Sequence, residues 1–236
     1  MTSQRDARGA ASPTKPHADL ARRTRIADNP NMRCGAILLT GGMSLRMGRA
    51  KEHVLLGGVS MLARAVATVA IPCAPVVVVA RDARQELPPL PPGTLLVADD
   101  HPGAGPLAGF ATGLRRLAAL PQAPEATLLG ACDMPFLQPR ELAGLVAELA
   151  ASPLVMPSDD DGPQPMVGAY RIDLLPTIEA LLAAGKRSLR ALNEVPGARV
   201  LTAAESRQLS PRGDLWRSVN TPEQLLAAEA ESHDRR

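Results

Sequence analysis

The chain has 236 residues, and 45% of them are hydrophobic, which is enough to bury a large core without disulfides or metal clusters. Aromatic residues make up only 2%, which disfavours nucleic-acid binding by stacking of bases on exposed rings. The formal net charge is +2, but residues 1–31 carry +3 and residues 32–236 carry −1, so the basic balance comes from the N-terminal segment and does not indicate a polyanion-binding surface.

The chain divides into a polar N-terminal segment and a longer segment with regular apolar patterns. Residues 1–31 show no periodicity and are predicted to be a disordered tail, whereas residues 32–236 are predicted to form a single domain. The cysteines, Cys34, Cys73 and Cys132, lack metal-binding spacing and are expected to be buried, reduced thiols, which suits a cytoplasmic protein. No apolar run approaches the ~20 residues of a membrane span, and a signal-peptide core is not seen.

Apolar runs alternate with helical patterns from residue 34 onward. The predicted strands cover 34–40, 75–80, 94–98 and 126–132, with shorter ones over 154–156, 166–170 and 216–219. The predicted helices cover 60–70, 106–120, 140–151 and 172–184, and a last helix begins after Thr221. This alternation predicts an α/β fold, a three-layer domain with a mainly parallel central sheet. In such sheets ligands bind beyond the carboxyl ends of the strands, so the loops there are the candidate sites.

The loop after the first strand combines two glycines with two cations. Residues 39–51 read LTGGMSLRMGRAK, in which Gly41 and Gly42 allow a ligand to approach the backbone, while Arg46 and Lys51 supply positive charge. Only three of the 26 basic residues are lysines, so a lysine here indicates that a compact ammonium is required. We interpret the loop as a triphosphate-binding loop, although its spacing is not that of a P-loop. The alternative is an ordinary glycine turn with a solvated basic face.

Acidic residues follow two further strands. Asp99 and Asp100 come after the strand over 94–98 and can accept hydrogen bonds from the ribose or the base of a nucleotide. A Gly-Pro-Leu turn at 105–107 then opens a helix whose first amides are expected to face the same crevice. Asp133, directly after the strand over 126–132, is well placed to hold Mg²⁺, which bridges nucleotide phosphates. The alternatives are a helix-entry turn with a solvent-facing acid pair, and an aspartate that caps the following turn.

Together these segments resemble the molybdenum cofactor guanylyltransferases, the MobA-type family of nucleotidyltransferases. Residues 39–51 are similar to its L-x-G-G-x-S-x-R-M-G-x-x-K signature, and residues 99–109 to its D-x-x-P-G-x-G-P-L-A-G segment. Similar matches follow in order at 132–137, 164–171, 185–190 and 219–223. The chain departs from the family pattern at Ala50, where aspartate is common, at Gln164, where histidine is common, and at Arg81, which ends a strand lacking the asparagine that some members use on the nucleotide.

The resemblance implies a three-layer Rossmann-like nucleotidyltransferase fold. It also implies an enzyme that uses Mg²⁺ as its cofactor, transfers GMP from GTP to molybdenum-bound molybdopterin and releases pyrophosphate. The cations of residues 185–190 would suit the phosphorylated acceptor, and the alternative is a basic helix terminus that interacts with the helix dipole. By the same resemblance Asn220 lies near the metal and the phosphates, and the alternative is a plain helix cap.

The site residues that the resemblance implies fall into four groups. The catalytic residues are Arg46, Lys51 and Asp133. The nucleotide-binding residues are Leu39, Thr40, Gly41, Gly42, Lys51, Asp99, Gly105 and Asp133. The acceptor-binding residues are Lys186, Arg187 and Arg190, and the metal ligands are Asp133 and Asn220.

The expected partners are GTP, a molybdopterin-type acceptor, and a molybdoenzyme or cofactor chaperone, with no nucleic acid and no membrane. One alternative is a cytidylyltransferase or a sugar-phosphate nucleotidyltransferase of the same superfamily. Cytidylyl relatives usually have L-A-A-G and lack G-P-L-A-G, so Gly41 and Gly42 together with residues 105–109 favour guanine. A nucleotide-binding module without catalysis is the other alternative, and Ala50 is the only residue that hints at it.

Overall fold

A seven-stranded sheet lies at the centre of the computed structural model, which describes residues 32–40 and 50–234. In chain order the strands are β1 (Cys34–Leu39), β2 (Leu55–Leu56), β3 (Val59–Ser60), β4 (Val76–Ala80), β5 (Leu95–Ala98), β6 (Ala126–Ala131), β7 (Leu154–Met156), β8 (Ser158–Asp159), β9 (Gly162–Pro163), β10 (Gly168–Arg171) and β11 (Arg199–Val200). The sheet has the order β11-β7-β10-β6-β1-β4-β5, while β2–β3 and β8–β9 form two small hairpins. Within the sheet only β10 runs antiparallel, which confirms the mainly parallel arrangement. The predicted tail over 1–31 lies outside the described residues.

Helices cover both faces of the sheet and complete the three predicted layers. In chain order they are α1 (Met61–Val69), α2 (Pro106–Ala118), α3 (Pro139–Glu148), α4 (Leu175–Ala183), α5 (Ala203–Leu209) and α6 (Pro222–Asp234). Helices α1 and α3 pack on one face, and α2 and α4 pack on the other. The hydroxyl of Ser60 accepts a hydrogen bond from the Ala63 amide at 3.2 Å, so Ser60 caps α1 as predicted. Across the described part of the chain, no helix combines the length and the apolar character needed to cross a membrane.

The two faces of the central strand β1 build two separate cores. Ala36 and Leu38 point into the core beneath α1 and α3, whereas Ile37 and Leu39 point into the core beneath α2 and α4. Because both faces are covered, the strand reads as a continuous apolar run rather than an alternating one. This arrangement leaves the carboxyl ends of β1, β4, β5 and β6 along one edge of the sheet.

A third, smaller apolar cluster lies beside that edge. It joins the β2–β3 hairpin, the loop after β6 and helix α6, and its buried members are Val54, Leu56, Met61, Phe136, Val219, Leu225 and Ala228. Burying one large apolar side chain contributes about 1.5–3 kcal/mol. The cluster therefore holds together three chain segments that are far apart in sequence.

The strand predicted over 216–219 is wrong. Trp216 ends a 3₁₀ turn (Asp214–Trp216), and residues 217–220 form no strand; the amide of Val219 instead donates to the carbonyl of Asp133 at 2.8 Å. The apolar side chains that suggested a strand pack elsewhere. Trp216 packs against the core beneath α1, and Val219 enters the small cluster.

Other predicted elements occur with shifted ends. Helix α4 begins at Leu175 after a 3₁₀ turn (Ile172–Leu174), because Pro176 has no amide proton and is tolerated only in the first turn. Strand β10 begins at Gly168, since the Val167 amide closes a turn on the Gln164 carbonyl at 3.1 Å. The helix predicted over 140–151 ends as a 3₁₀ turn over its last three residues. The two hairpins, β11 and α5 were not predicted, because they are too short to show a clear period.

All three cysteines are buried free thiols, as predicted. Cys34 and Cys73 lie at the amino ends of β1 and β4 with their sulfur atoms 2.6 Å apart, a contact that their sequence spacing does not reveal. The hydrogen bond to Cys34 and burial raise the pKa of the Cys73 thiol, and burial raises the pKa of Cys132 to about 12. Cys73 and Cys132 therefore stay protonated at neutral pH and are poor nucleophiles.

Candidate functional site

Three of the predicted residues meet at the carboxyl edge of the sheet. The ammonium group of Lys51 donates to Asp133 Oδ2 at 2.8 Å and to Asn220 Oδ1. The side chains of Lys51 and Asp133 are only 17% and 18% exposed, so water screens their attraction weakly. Residues that are 82 and 169 positions apart in sequence thus form one polar centre.

The small apolar cluster explains why these residues meet. Val54 follows Lys51 by three residues, Phe136 follows Asp133 by three, and Val219 immediately precedes Asn220. The Val219 amide also donates to the Asp133 carbonyl, which aligns the two segments directly. Burial of the apolar neighbours therefore fixes the backbone on which the polar side chains stand.

Asn220 is held in place by its own neighbours. Its backbone amide donates to Gln224 Oε1 at 2.6 Å, and its Nδ2 donates to Ser218 Oγ at 2.7 Å. The second bond turns the amide so that Oδ1 faces Lys51. Thr221 caps α6, as predicted, by accepting from the Gln224 amide at 3.3 Å. The Gln224 side chain in turn accepts from the backbone amide of Asn220 and not from that of the cap residue Thr221. The start of the helix therefore positions Asn220.

The centre offers two oxygen ligands for a metal ion. Asp133 Oδ2 and Asn220 Oδ1 converge on one point, and carboxylate and amide oxygens are hard ligands of the kind that Mg²⁺ prefers. Within residues 32–40 and 50–234, no group of three or more acidic, histidine or cysteine side chains is arranged to hold a metal. Asp133 and Asn220 would therefore fit a Mg²⁺ ion only if further ligands, such as water, completed its coordination.

Asp99 and Asp100 face different surroundings at the end of β5. Asp99 Oδ1 accepts from the Thr112 hydroxyl at 3.2 Å and from the His101 amide at 3.0 Å. Its second oxygen lies against Gly109, beside the end of β1. Asp100 is exposed and pairs with Arg115 at 2.9 Å. This geometry favours Asp99, the residue preferred from the motif spacing, as the carboxylate that faces the crevice.

Gly105 brings the predicted acceptor loop against the start of α2. Its φ angle is +92°, and a Cβ atom there would lie 2.7 Å from the carbonyl oxygen of Arg187. That carbonyl accepts from the Leu107 amide at 3.2 Å. The Leu107 amide, one of those expected to face the crevice, is therefore already hydrogen-bonded within the protein. Gly105 permits the contact that joins the segment after β5 to residues 185–190.

The cations predicted to bind the acceptor differ in whether they pair with a carboxylate of the protein. Arg187 is exposed and lines a cavity of about 410 Å³ between α2 and α4, together with His101 and Arg115. Arg190 is also exposed. Lys186 lies 3.5 Å from Glu194, in an ion pair whose side chains are about half exposed and which is therefore weak. The bond between the Arg187 carbonyl and the Leu107 amide places this loop beside the start of α2.

The remaining predicted residues lie at the end of β1 or beyond it. Leu39 is a core residue whose carbonyl accepts from the Cys132 amide at 3.3 Å. Thr40 is 2% exposed, and its hydroxyl lies 3.0 Å from the Val79 carbonyl. Gly41, Gly42 and Arg46 lie outside the described residues, so their predicted contacts with the nucleotide stay predictions.

A second cavity, of about 590 Å³, lies behind the loop that follows Asp133. Phe136, Arg64, Glu141 and Arg212 are among its lining residues. None of the predicted site residues in the described part of the chain lines it. The chemistry that the sequence predicts is therefore concentrated along the sheet edge and not in this larger cavity.

Sequence reasoning missed four polar residues that support the centre. Ser218 and Gln224 orient Asn220, and Glu52 and Gln85 lie behind Lys51. Gln224 follows Thr221 by three residues, a spacing that indicates only a helix cap. The other three carried no motif or periodic signal, because their partners are set by the fold and not by local spacing.

Comparisons with known proteins agree with the predicted family and fold. The family described as MobA-like NTP transferase domain matches residues 36–200. A protein of Chloroflexus aggregans named "Probable molybdenum cofactor guanylyltransferase" is 32% identical over 216 residues, covering 85% of this chain and 95% of its own length. A protein of the same name from Mycolicibacterium paratuberculosis is 34% identical over 203 residues, covering 84% and 95%.

Solved structures show the same fold at lower identity. Molybdopterin-guanine dinucleotide biosynthesis protein A from Archaeoglobus fulgidus superimposes with a TM-score of 0.66 at 23% identity, covering 85% of this chain and 99% of that protein. A 4-diphosphocytidyl-2C-methyl-D-erythritol synthase from Anaerococcus prevotii gives 0.62 at 16% identity, covering 89% and 100%. Both likenesses confirm the three-layer Rossmann-like nucleotidyltransferase fold.

Gly105→Ala is expected to lower the free energy of unfolding more than Gly103→Ala does. Both glycines have positive φ angles, 92° and 81°, where an alanine costs about 1–2 kcal/mol. A Cβ atom at 105 additionally collides with the Arg187 carbonyl, whereas nothing lies within 4 Å of one at 103. Urea unfolding of the two variants measures the difference. Equal losses would contradict the contact between residues 105 and 187.

Proposed function

We propose that this protein, which belongs to the MobA-like NTP transferase family, transfers GMP from GTP to molybdenum-bound molybdopterin and releases pyrophosphate. The observation that carries the proposal is the convergence of Lys51, the last residue of the signature-like segment 39–51, with Asp133 and Asn220. The names of the relatives at 32% and 34% identity support GTP as the donor and molybdopterin as the acceptor.

The positions of the two aspartates suggest how the nucleotide lies. Asp133 and Asp99 follow β6 and β5, which are three positions apart in the sheet, or about 14 Å at the usual strand spacing. We place the phosphates at the Lys51–Asp133 end and the guanosine at the Asp99 end. Asp99 then accepts hydrogen bonds from the ribose hydroxyls or from the N–H groups of guanine. With so few aromatic residues in the chain, such hydrogen bonds rather than stacking would select the base.

In the proposed reaction an acceptor phosphate oxygen attacks the α-phosphorus of GTP in line. The new P–O bond forms as the bond to the bridging oxygen of the β-phosphate breaks, and pyrophosphate leaves. The attacking phosphate is already ionised, so the protein does not have to remove a proton from it. Its contribution is to position both reactants and to neutralise charge on the leaving group, which Lys51 and Arg46 supply. Arg187, Arg190 and Lys186 would bind the anionic acceptor.

Asp133 and Asn220 are the proposed ligands of Mg²⁺, the proposed cofactor. When bound, Mg²⁺ withdraws charge from the phosphates and so favours departure of pyrophosphate. The ammonium group of Lys51 bonds the same two oxygens. A carboxylate has about four lone-pair sites and an amide oxygen has two, so Asp133 and Asn220 would hold the metal while Lys51 stays bonded to them and directs its third N–H to the phosphates of the leaving group. The cytoplasmic location and a molybdoenzyme or cofactor chaperone as further partner remain parts of this proposal.

The proposal predicts that GTP is the preferred donor. Turnover with molybdenum-bound molybdopterin, followed as pyrophosphate release, is to be compared for GTP, CTP, ATP and UTP. Hydrogen bonding to the base gives GTP the highest kcat/KM, by roughly 100-fold or more over the pyrimidine nucleotides. A preference for CTP would support the cytidylyl alternative and contradict the proposal. Binding of GTP without release of pyrophosphate would indicate a binding module.

Asp133→Asn is expected to lower kcat by about 100-fold or more and to weaken the response to Mg²⁺, because the variant loses a charged metal ligand. The measurement is turnover at a series of Mg²⁺ concentrations. Asp100→Asn is the matched control, since Asp100 also follows a strand at this edge but is exposed and paired with Arg115. An unchanged Mg²⁺ dependence in Asp133→Asn would exclude Asp133 as a ligand.

A further inference from the structure

A buried carboxylate lies immediately behind Lys51. Glu52 is the second residue of the 3₁₀ turn Lys51–His53, and it is only 4% exposed. Gln85, in the loop after β4, donates from Nε2 to Glu52 Oε1 at 2.6 Å. A buried carboxylate is costly unless it is hydrogen-bonded, so this bond fixes where the turn can lie.

The same glutamine binds two further segments. Its Oε1 accepts from the Arg81 amide at 2.6 Å and lies 3.2 Å from the Thr40 hydroxyl, while its Nε2 lies 3.4 Å from the Thr40 carbonyl. Gln85 therefore ties the end of β1, the start of the loop after β4 and the turn that carries Lys51. Both the oxygen and the nitrogen of its side-chain amide are hydrogen-bonded within the protein. Gln85 is therefore suited to holding these segments together and not to contacting a nucleotide base.

Glu52 directly follows Lys51 in the 3₁₀ turn, and its side chain has a different partner. Its carboxylate faces Gln85, whereas the neighbouring Lys51 side chain reaches Asp133 and Asn220. The turn is therefore held from both sides.

We infer that Glu52 and Gln85 are positioning residues, which set the turn so that the ammonium of Lys51 is delivered to Asp133 and Asn220. The inference rests on the proposed function, in which Lys51 acts on the phosphates of the nucleotide. Gln85 acts through Glu52, and Glu52 acts through the backbone it shares with Lys51. Neither residue touches the reacting atoms.

The first test reads the surroundings of Lys51 without any turnover. The chain has only three lysines, so labelling them with ¹³C gives three side-chain Cε signals, and Lys51→Arg identifies one of them. In Gln85→Ala the Lys51 signal is expected to shift towards the position of the Lys186 signal, because Lys186 is exposed. Arg84→Ala and Glu86→Ala, at exposed neighbours in the same loop, are the controls and leave it in place. An unchanged Lys51 signal in Gln85→Ala would overturn the inference.

The second test asks whether the pair acts through Lys51. Gln85→Ala and Glu52→Ala are expected to lower kcat for GTP turnover roughly 10- to 100-fold, the usual loss when a supporting residue is removed. Glu52→Gln keeps an oxygen that can accept from Gln85 and retains most of the activity. In the Lys51→Ala background, Gln85→Ala should cause no further loss.

The two tests separate failure of the inference from failure of the proposed function. An equal loss from Gln85→Ala in both backgrounds would overturn the inference, because the residue would then act independently of Lys51. Wild-type protein that does not turn over GTP would refute the proposed function, while the lysine signal would still decide whether the pair positions Lys51.

Discussion

The burial of three apolar side chains in one small cluster is the constraint on which the site depends. Val54, Phe136 and Val219 come from segments that are remote in sequence, and each lies within three residues of Lys51, Asp133 or Asn220. The hydrophobic effect has no direction of its own, so the polar geometry is completed by hydrogen bonds, such as that between the Val219 amide and the Asp133 carbonyl. The cluster supplies the proximity, and the hydrogen bonds supply the orientation.

The site distributes its charges along the carboxyl edge of the sheet. Lys51 and Asp133 lie at the end near β6, Asp99 lies near β5, and the Gly105–Arg187 contact brings a cationic loop beside the start of α2. Outside the N-terminal segment the chain is almost neutral, so recognition depends on where individual charges stand and not on a general field. This arrangement suits the proposed reaction, in which two anionic substrates are brought together without general binding of polyanions.

The sequence predicted the features that follow from local pattern. Apolar runs predicted β1, β4, β5 and β6, because strands buried on both faces need no alternation. The resemblance to the family motifs pointed to Lys51, Asp133 and Asn220. Gln85 could not be predicted, since its bonds to Thr40 and Glu52 depend on the approach of segments more than 30 residues apart. The strand expected over 216–219 failed for a related reason, because tertiary packing of Trp216 and Val219 outweighed their strand propensity.

In the proposed reaction Lys51 acts as a compact ammonium shared between the protein and the nucleotide phosphates. The most direct test is the kcat of Lys51→Arg for GTP turnover, with urea unfolding to confirm that the fold is kept. Arginine preserves the charge, but its larger planar group does not fit between Asp133 and Asn220 in the same way. A loss of about tenfold or more is expected, as when a charge-assisted hydrogen bond worth about 1.5–3 kcal/mol is misplaced. Full activity in a folded Lys51→Arg variant would contradict this role of Lys51.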